Sequence, residues 1–246
     1  MQNFDLIIVG AGYAGLTCAK AAASRGVKTL VIDRKKFAGQ HPHTTGIIVK
    51  EAADAWDIPR EYTRVLPGVR IYSPGFHTLD LKSPGYFFLA ADVPAIMRWL
   101  AETALSAGVE ILWNVPFKGA DLENGTYVLH DLNLTCSFIV GADGAKSKVA
   151  RYFNLGQNKK FLYGLEVELP PSDIFNPEFM HCFLDADLAP GYLAWVVPGK
   201  GIVQAGLATH KPDKAHLHDF LEKMTDKFNI QKKSIIGRRA GVIPAG

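Results

Sequence analysis

Near the start, a short apolar run, Phe4-Asp5-Leu6-Ile7-Ile8-Val9, passes directly into Gly10-Ala11-Gly12-Tyr13-Ala14-Gly15, and this junction limits the possible folds more than any other segment. The run is rich in strand formers, and the glycines after it suit a tight turn out of a buried parallel strand. Small residues dominate from Ala14 to Arg25, which predicts a helix stopping at Gly26. Val27 to Ile32 reads as a second buried strand, ending in Asp33. In such a unit Gly10 permits the turn, Gly12 lets backbone approach a pyrophosphate, and Gly15 lets helix and strand pack closely. The helix N-terminus, with Ala11, Tyr13 and Ala14 in its first turn, offers N–H groups to phosphates. Asp33, 23 positions after Gly10, is placed to accept from ribose hydroxyls, with Arg34 beside it as a further contact. Strand, glycine pattern, helix, strand and acid in register predict a dinucleotide site. They do not distinguish NAD from FAD, and a glycine-rich turn that binds nothing is the bland alternative.

A second motif lies further on. Asp92 and Pro94 are start signals for a helix over 95–107, Gly108 is its stop, and Val109 to Trp113 reads as a strand. Alternating runs at Phe117 to Leu122, Thr126 to His130 and Leu132 to Cys136, with Glu123-Asn124-Gly125 and Asp131 at the turns, predict a small antiparallel meander. It leads into Phe138-Ile139-Val140-Gly141-Ala142-Asp143-Gly144, a strand that delivers Asp143 at its carboxyl end, where open parallel sheets hold ligands. Asp143 also suits a helix N-cap.

The 27 basic and 24 acidic residues form no dense basic block, so the formal charge of +3 gives no footprint for nucleic acid. Three widely spaced cysteines, Cys18, Cys136 and Cys182, give neither a disulfide framework nor a metal knuckle and predict a reducing, cytoplasmic compartment. Asp5 and the interrupting glycines make the start read as strand, turn and helix rather than as a signal peptide. No apolar run is long enough to predict a transmembrane segment.

Together, Gly10 to Gly15 with Asp33, and Gly141-Ala142-Asp143-Gly144 with Ser147 and Val149, resemble the FAD-dependent oxidoreductase superfamily of geranylgeranyl reductases and aromatic hydroxylases. The resemblance implies an α/β fold: a Rossmann-like FAD-binding domain with a parallel sheet and antiparallel meander, plus an inserted, mainly antiparallel β-sheet substrate domain. The expected boundaries are 1–66, 91–160 and 236–246 for the FAD-binding domain, and 67–90 with 161–235 for the substrate domain. The substrate-domain strands are expected at Val69 to Tyr72, Phe76 to Leu81, Tyr86 to Leu89, Phe161 to Leu169, Phe179 to Leu184, Tyr192 to Val197 and Ile202 to Ala208. By the same resemblance Asp143 and Gly144 contact the pyrophosphate and ribityl region, and the backbone near Phe117 contacts adenine. FAD is the implied cofactor, with NAD(P)H a possible reductant.

His41-Pro42-His43-Thr44-Thr45-Gly46-Ile47 stands where the reductases carry a proline, cysteine and glycine-rich loop beside the flavin ring, so Thr45 and Gly46 are assigned to the cofactor. His43, Thr44 and Thr45 replace a cysteine and two glycines, and the role of that cysteine does not carry over. His43 has the chemistry to donate to a flavin carbonyl or to protonate a reduced substrate, a solvated loop histidine being the alternative. In the segment Pro190 to Pro198, Trp195 and Pro198 match the substrate-side motif of the reductases, while Leu193 and Val197 depart from it. Trp195 is thus a candidate for lining an apolar substrate pocket, or a core aromatic. Asp92 stands near the place of an arginine found in many members. His210, His216 and His218 fall beside a helix over 213–228 rather than forming a metal site.

The resemblance also implies a third, Gly-Asp motif after Gly237 to Pro244. The expectation is that the sequence stops short of it at Gly246, leaving an exposed sheet edge and a half-open site that a missing C-terminal segment or a second chain would complete. The expected activity is reduction or hydroxylation of a small apolar, isoprenoid-like substrate, with peripheral membrane contact compatible. Two other readings stand: a non-catalytic binding protein on the same scaffold, like the inhibitors that extract prenylated GTPases from membranes, and an NAD-dependent dehydrogenase.

Overall fold

The computed structural model describes residues 1–230 and 234–245. In chain order the elements are β1 (Gln2–Val9), α1 (Tyr13–Ala23), β2 (Thr29–Asp33), β3 (Ile47–Val49), α2 (Lys50–Ala55), β4 (Thr63–Leu66), β5 (Gly68–Tyr72), β6 (Thr78–Lys82), β7 (Phe88–Ala91) and α3 (Val93–Ser106). They continue with β8 (Glu110–Trp113), β9 (Ala120–Glu123), β10 (Thr126–Leu129), β11 (Leu134–Gly141), α4 (Lys148–Tyr152), β12 (Phe161–Leu169), β13 (Phe179–Phe183), β14 (Ala194–Pro198), β15 (Val203–Thr209), α5 (Leu217–Phe228) and β16 (Gly237–Pro244). Two compact units result, one from Met1–Gln40 and Pro94–Lys159, the other from His41–Val93 and the chain from Lys160 onward.

The first unit holds a six-stranded sheet in the order β8-β2-β1-β11-β10-β9. Strands β8, β2, β1 and β11 run parallel, and β9 and β10 complete the antiparallel meander. Hydrogen bonding on both sides makes β1 central, which is why its apolar run is continuous rather than alternating: Ile7 and Ile8 are fully buried. The sequence pattern suggests separate strands at Leu132 to Cys136 and after Phe138, but the structure has one strand, β11, pairing with β1 from Gln2 to Val9. The polar Ser137 that interrupts the pattern is simply exposed.

The second unit is built on a seven-stranded sheet, β16-β12-β15-β14-β13-β5-β6, antiparallel except for the β13–β5 pair, and on a three-stranded antiparallel sheet, β3-β7-β4. One face of the larger sheet packs Val167, Val196, Ala205 and Leu207 against Phe220, Leu221 and Met224 of α5. The opposite face carries Leu162, Trp195, Val197 and Ala208, clustered with Leu66 and Ala90 of the smaller sheet. Three placements differ from the sequence expectation. The strand near Tyr86 to Leu89 belongs to the smaller sheet, and Gly237–Pro244 pairs with β12 as the edge of the larger one. Alternation reveals that a segment is a strand but does not name its partner. The helix expected from Asp213 begins at Leu217, because Pro212–Lys214 form a separate 3₁₀ turn ahead of it.

Within this core His181 is almost completely buried. Its Nε2 donates to the Asn176 carbonyl at 3.0 Å, so Nδ1 is the acceptor for the Tyr72 hydroxyl at 2.9 Å. Burial holds its pKa below the ordinary histidine value. The unfolded chain therefore takes up a proton near pH ~6.5 that the folded chain resists, and stability is lost as pH falls from there towards the folded pKa. Urea unfolding is expected to show stability level above neutrality and falling by up to about 1.4 kcal/mol per pH unit below it, a slope reduced in His181→Asn.

Candidate functional site

In the first unit the two glycine motifs meet. Val9 pairs with Ile32 on one side and Gly141 on the other, so the loops leaving β1 and β11 are neighbours at the carboxyl ends of adjacent parallel strands. Gly10 takes φ +110°, and a Cβ there would lie 2.4 Å from the Ala142 carbonyl oxygen. A Cβ on Gly15 would lie 1.8 Å from the Gly10 carbonyl oxygen, so helix α1 touches the turn directly. Gly12 is different. A Cβ there would meet nothing within 4 Å, and as the N-cap of α1 it supplies no side-chain cap. Open space beside an uncapped helix N-terminus leaves N–H groups free to receive an anionic group. Gly144, at φ +90°, is likewise open.

Asp33 ties this loop to the end of β2. Its Oδ2 accepts from the Ala11 N–H at 2.6 Å and its Oδ1 from the Lys35 N–H at 2.8 Å. Each carboxylate oxygen retains a second lone pair for a ribose hydroxyl. The Val115 and Asn114 N–H groups donate to the carbonyls of Asp33 and Lys35 at 2.8 and 2.7 Å, which brings the segment leading to Phe117 beside the acid. Phe117 itself precedes β9 and is buried edge-on to Tyr152. Arg34 is exposed, and burial holds the Lys35 ammonium below the ordinary lysine pKa against the opposing pull of Asp33.

Of the two roles open to Asp143 in the sequence, the structure bears on the N-cap. Ser147, not Asp143, is the N-cap of α4, accepting from the Ala150 N–H at 2.9 Å. Asp143 supports it, its Oδ1 accepting from the Ser147 hydroxyl at 2.5 Å and its Oδ2 from the N–H groups of Lys148 and Val149 at 2.5 and 3.2 Å. These bonds tie the turn through Gly144 to the first turn of α4.

The second unit carries Thr45, Gly46 and Trp195, and here the structure adds residues that no motif marks. Thr45 donates its hydroxyl to Glu166 Oε2 at 2.6 Å, and its carbonyl accepts from Gln204 Nε2 at 2.9 Å. Glu166 and Gln204 are buried on β12 and β15, and Gln204 also donates to Glu166 Oε1 at 2.9 Å. The Trp195 indole N–H donates to the same Glu166 Oε2 at 2.9 Å, so this ring is part of the apolar cluster with its polar edge on a carboxylate. Arg239 of β16 pairs with Glu168, lies 3.9 Å from Glu166, and donates to the Thr44 carbonyl at 2.9 Å. The available signal was polar residues at inward positions of otherwise apolar strands: Glu166 and Gln204. Gly46, at φ +84°, leaves no room for a Cβ against Val93. His43 is exposed and its Nδ1 donates to the Ala240 carbonyl at 3.0 Å. Burial pushes the Cys136 and Cys182 thiols up to about 11, so neither offers a thiolate near neutrality. Among the described residues no helix is long and apolar enough to cross a membrane.

The chain is similar to known proteins. The family model "FAD binding domain" matches residues 3–233. A digeranylgeranylglycerophospholipid reductase of Methanosarcina mazei is 26% identical over 90% of this chain and 60% of its own length. The chain thus spans about three fifths of that curated relative. Among solved structures, a geranylgeranyl bacteriochlorophyll reductase-like protein from Thermoplasma acidophilum superposes with TM-score 0.85 at 22% identity, over 99% of this chain and 67% of that one. A p-nitrophenol 4-monooxygenase from Pseudomonas putida superposes with TM-score 0.76 at 15% identity, over 99% and 69%.

Proposed function

Since the chain belongs to the FAD binding domain family, with FAD as its cofactor, we propose that it serves an FAD-dependent reductase of the geranylgeranyl reductase type. The substrate is apolar and isoprenoid-like. The observation that carries this reading is the meeting of the Gly10 and Asp143 loops beside the open N-terminus of α1. Gly10 to Gly15 bind the pyrophosphate, Asp33 holds the ribose, the backbone before Phe117 borders the adenine, and Asp143 with Gly144 orient the ribityl chain. Arg34 lies beside the adenosine end. Thr45 and Gly46 are assigned to the flavin ring. FAD supplies the hydride or oxygen chemistry when bound.

The protein's part is to bind, orient and exclude water. Because Nδ1 of His43 is committed to the Ala240 carbonyl, Nε2 is the atom at which this side chain takes up or gives a proton. We assign Trp195 to the substrate side from the likeness of its segment to that of the reductases; its ring packs in the apolar cluster with Leu162 and Val197, so it would act as backing to a substrate site rather than as open surface. Reduction is favoured over hydroxylation because the curated relative named above is a reductase. NAD(P)H is the proposed electron donor, a reducing cytoplasm the proposed compartment, and peripheral contact with a membrane the proposed route to a lipid substrate.

FAD titration tests the reading. The protein is expected to bind FAD and to show the visible flavin band, and Asp33→Asn is expected to bind about tenfold more weakly or worse, since a hydrogen bond to a charged group contributes about 1.5–3 kcal/mol. A chain that binds no FAD would instead favour the non-catalytic binding protein, and preference for NAD would favour the dehydrogenase.

A further inference from the structure

Glu166 does more than sit in a core. Its carboxylate is 4% exposed and accepts from three side chains that reach it from separate parts of the second unit: the Thr45 hydroxyl, the Trp195 indole and the Gln204 amide. A charge so buried needs this degree of compensation, because a carboxylate removed from water is costly unless donors replace the water. Around Glu166 the loop 43–46 is tied to the sheet at several points. Thr45 is held through its hydroxyl by Glu166 and through its carbonyl by Gln204, Thr44 through its carbonyl by Arg239, and His43 through its ring by Ala240. A Cβ on Gly241 would lie 2.5 Å from the His43 carbonyl oxygen, so this strand also touches the loop backbone directly.

We infer that Glu166 is a positioning residue, a buried carboxylate clamp that fixes the His43–Gly46 loop on the larger sheet by accepting the Thr45 hydroxyl. The clamp works through one acceptor used twice. Oε2 receives both Thr45 and Trp195, so the loop and the apolar wall share a single anchoring atom and move together. Gln204 enforces the geometry, its one amide nitrogen bridging Glu166 Oε1 and the Thr45 carbonyl. Arg239 lies between the buried Glu166 and the partly exposed Glu168 and offsets the repulsion between the two acids. The functional meaning of this clamp rests on the assignment of Thr45 and Gly46 to the flavin ring; the clamp itself does not.

Thr45→Val removes the hydroxyl while keeping the side-chain shape, and leaves every strand of the sheet intact. Amide hydrogen exchange of the cofactor-free protein is expected to quicken about tenfold or more across 41–47 in this variant. Exchange in β12, β14 and β15 should stay as in wild type, and Thr45→Ser should restore slow exchange in the loop. Glu166→Gln, whose amide would face that of Gln204, should reproduce the effect. Wild-type exchange in the loop of Thr45→Val would overturn the inference. In the FAD-loaded protein Thr45→Val is further expected to shift the flavin midpoint potential and Thr45→Ser to return it. A quickened loop with an unmoved potential would overturn the functional part alone, and failure of the wild type to take up FAD would overturn the flavin reading while the exchange result still decides the clamp.

Discussion

Gly15→Ala is expected to lose about 3 kcal/mol or more of stability, on the order of 10 °C in melting temperature, and with it FAD binding. The new methyl would be placed 1.8 Å from the Gly10 carbonyl oxygen and 3.3 Å from the Ala142 side chain. The first contact is with backbone, which cannot swing aside as a flexible side chain does. Relief requires α1 to lift from β1 by more than an ångström, or so (~), opening the packing of Leu16 and Ala19, both fully buried. Gly12→Ala makes the contrast. Its methyl meets no protein atom within 4 Å, so the variant should melt with the wild type yet bind FAD more weakly, because the methyl would enter the space we propose for the phosphates. Thermal melts of cofactor-free protein and FAD titrations of the same two variants check the pair. Equal stability of Gly15→Ala and wild type would contradict the packing described, and full affinity in Gly12→Ala would contradict the phosphate site proposed there.

Arg239→Met is expected to destabilise the second unit by about 3–5 kcal/mol, the range found when one partner of a buried ion pair is removed. The guanidinium is largely buried, pairs with Glu168 and faces Glu166, and its loss would leave two carboxylates without their cation. Methionine fills similar volume, so the deficit would report charge rather than a cavity. Arg239→Lys should recover only part of it, since an ammonium cannot serve Glu168, Glu166 and the Thr44 carbonyl with a planar fork. Urea unfolding of the three proteins at neutral pH makes the comparison. A deficit under about 1 kcal/mol, the range of exposed pairs, would mean that water reaches the cluster.

The contrast between these two variants also measures what the sequence made legible. The consequences of Gly15 could be read from a local pattern, because strand, turn, helix and the following acid are contiguous and their glycines have steric meanings. The strand leading to Asp143 and most strands of the larger sheet were legible for the same reason. Arg239 could not be read that way. Its partners Glu166 and Glu168 lie some seventy positions away (~), joined only by the register of β16 on β12, and pairing register is a long-range property that alternation does not encode. Thus Gly237–Pro244 was grouped with the nucleotide-binding part by resemblance, while its hydrogen bonds run to the larger sheet. Glu166 and Gln204 escaped notice because a polar residue in a strand ordinarily faces water, and only the packed structure shows these two facing inward.

The position of β1 between β2 and β11 has a consequence for how the chain is made. β2 follows within a few residues of α1, but Gly141, the other neighbour of Val9, is about 130 positions later. Pairing so distant imposes a large loop-closure cost and slows folding. On the ribosome the Gly10 turn must therefore wait, with one edge of an apolar strand unsatisfied, until the whole of 41–93 and the meander have emerged. Such an edge invites non-native strand pairing. Yield of folded protein in rapid expression should accordingly depend on chaperone supply, and the binding loop should be among the last parts of the first unit to form.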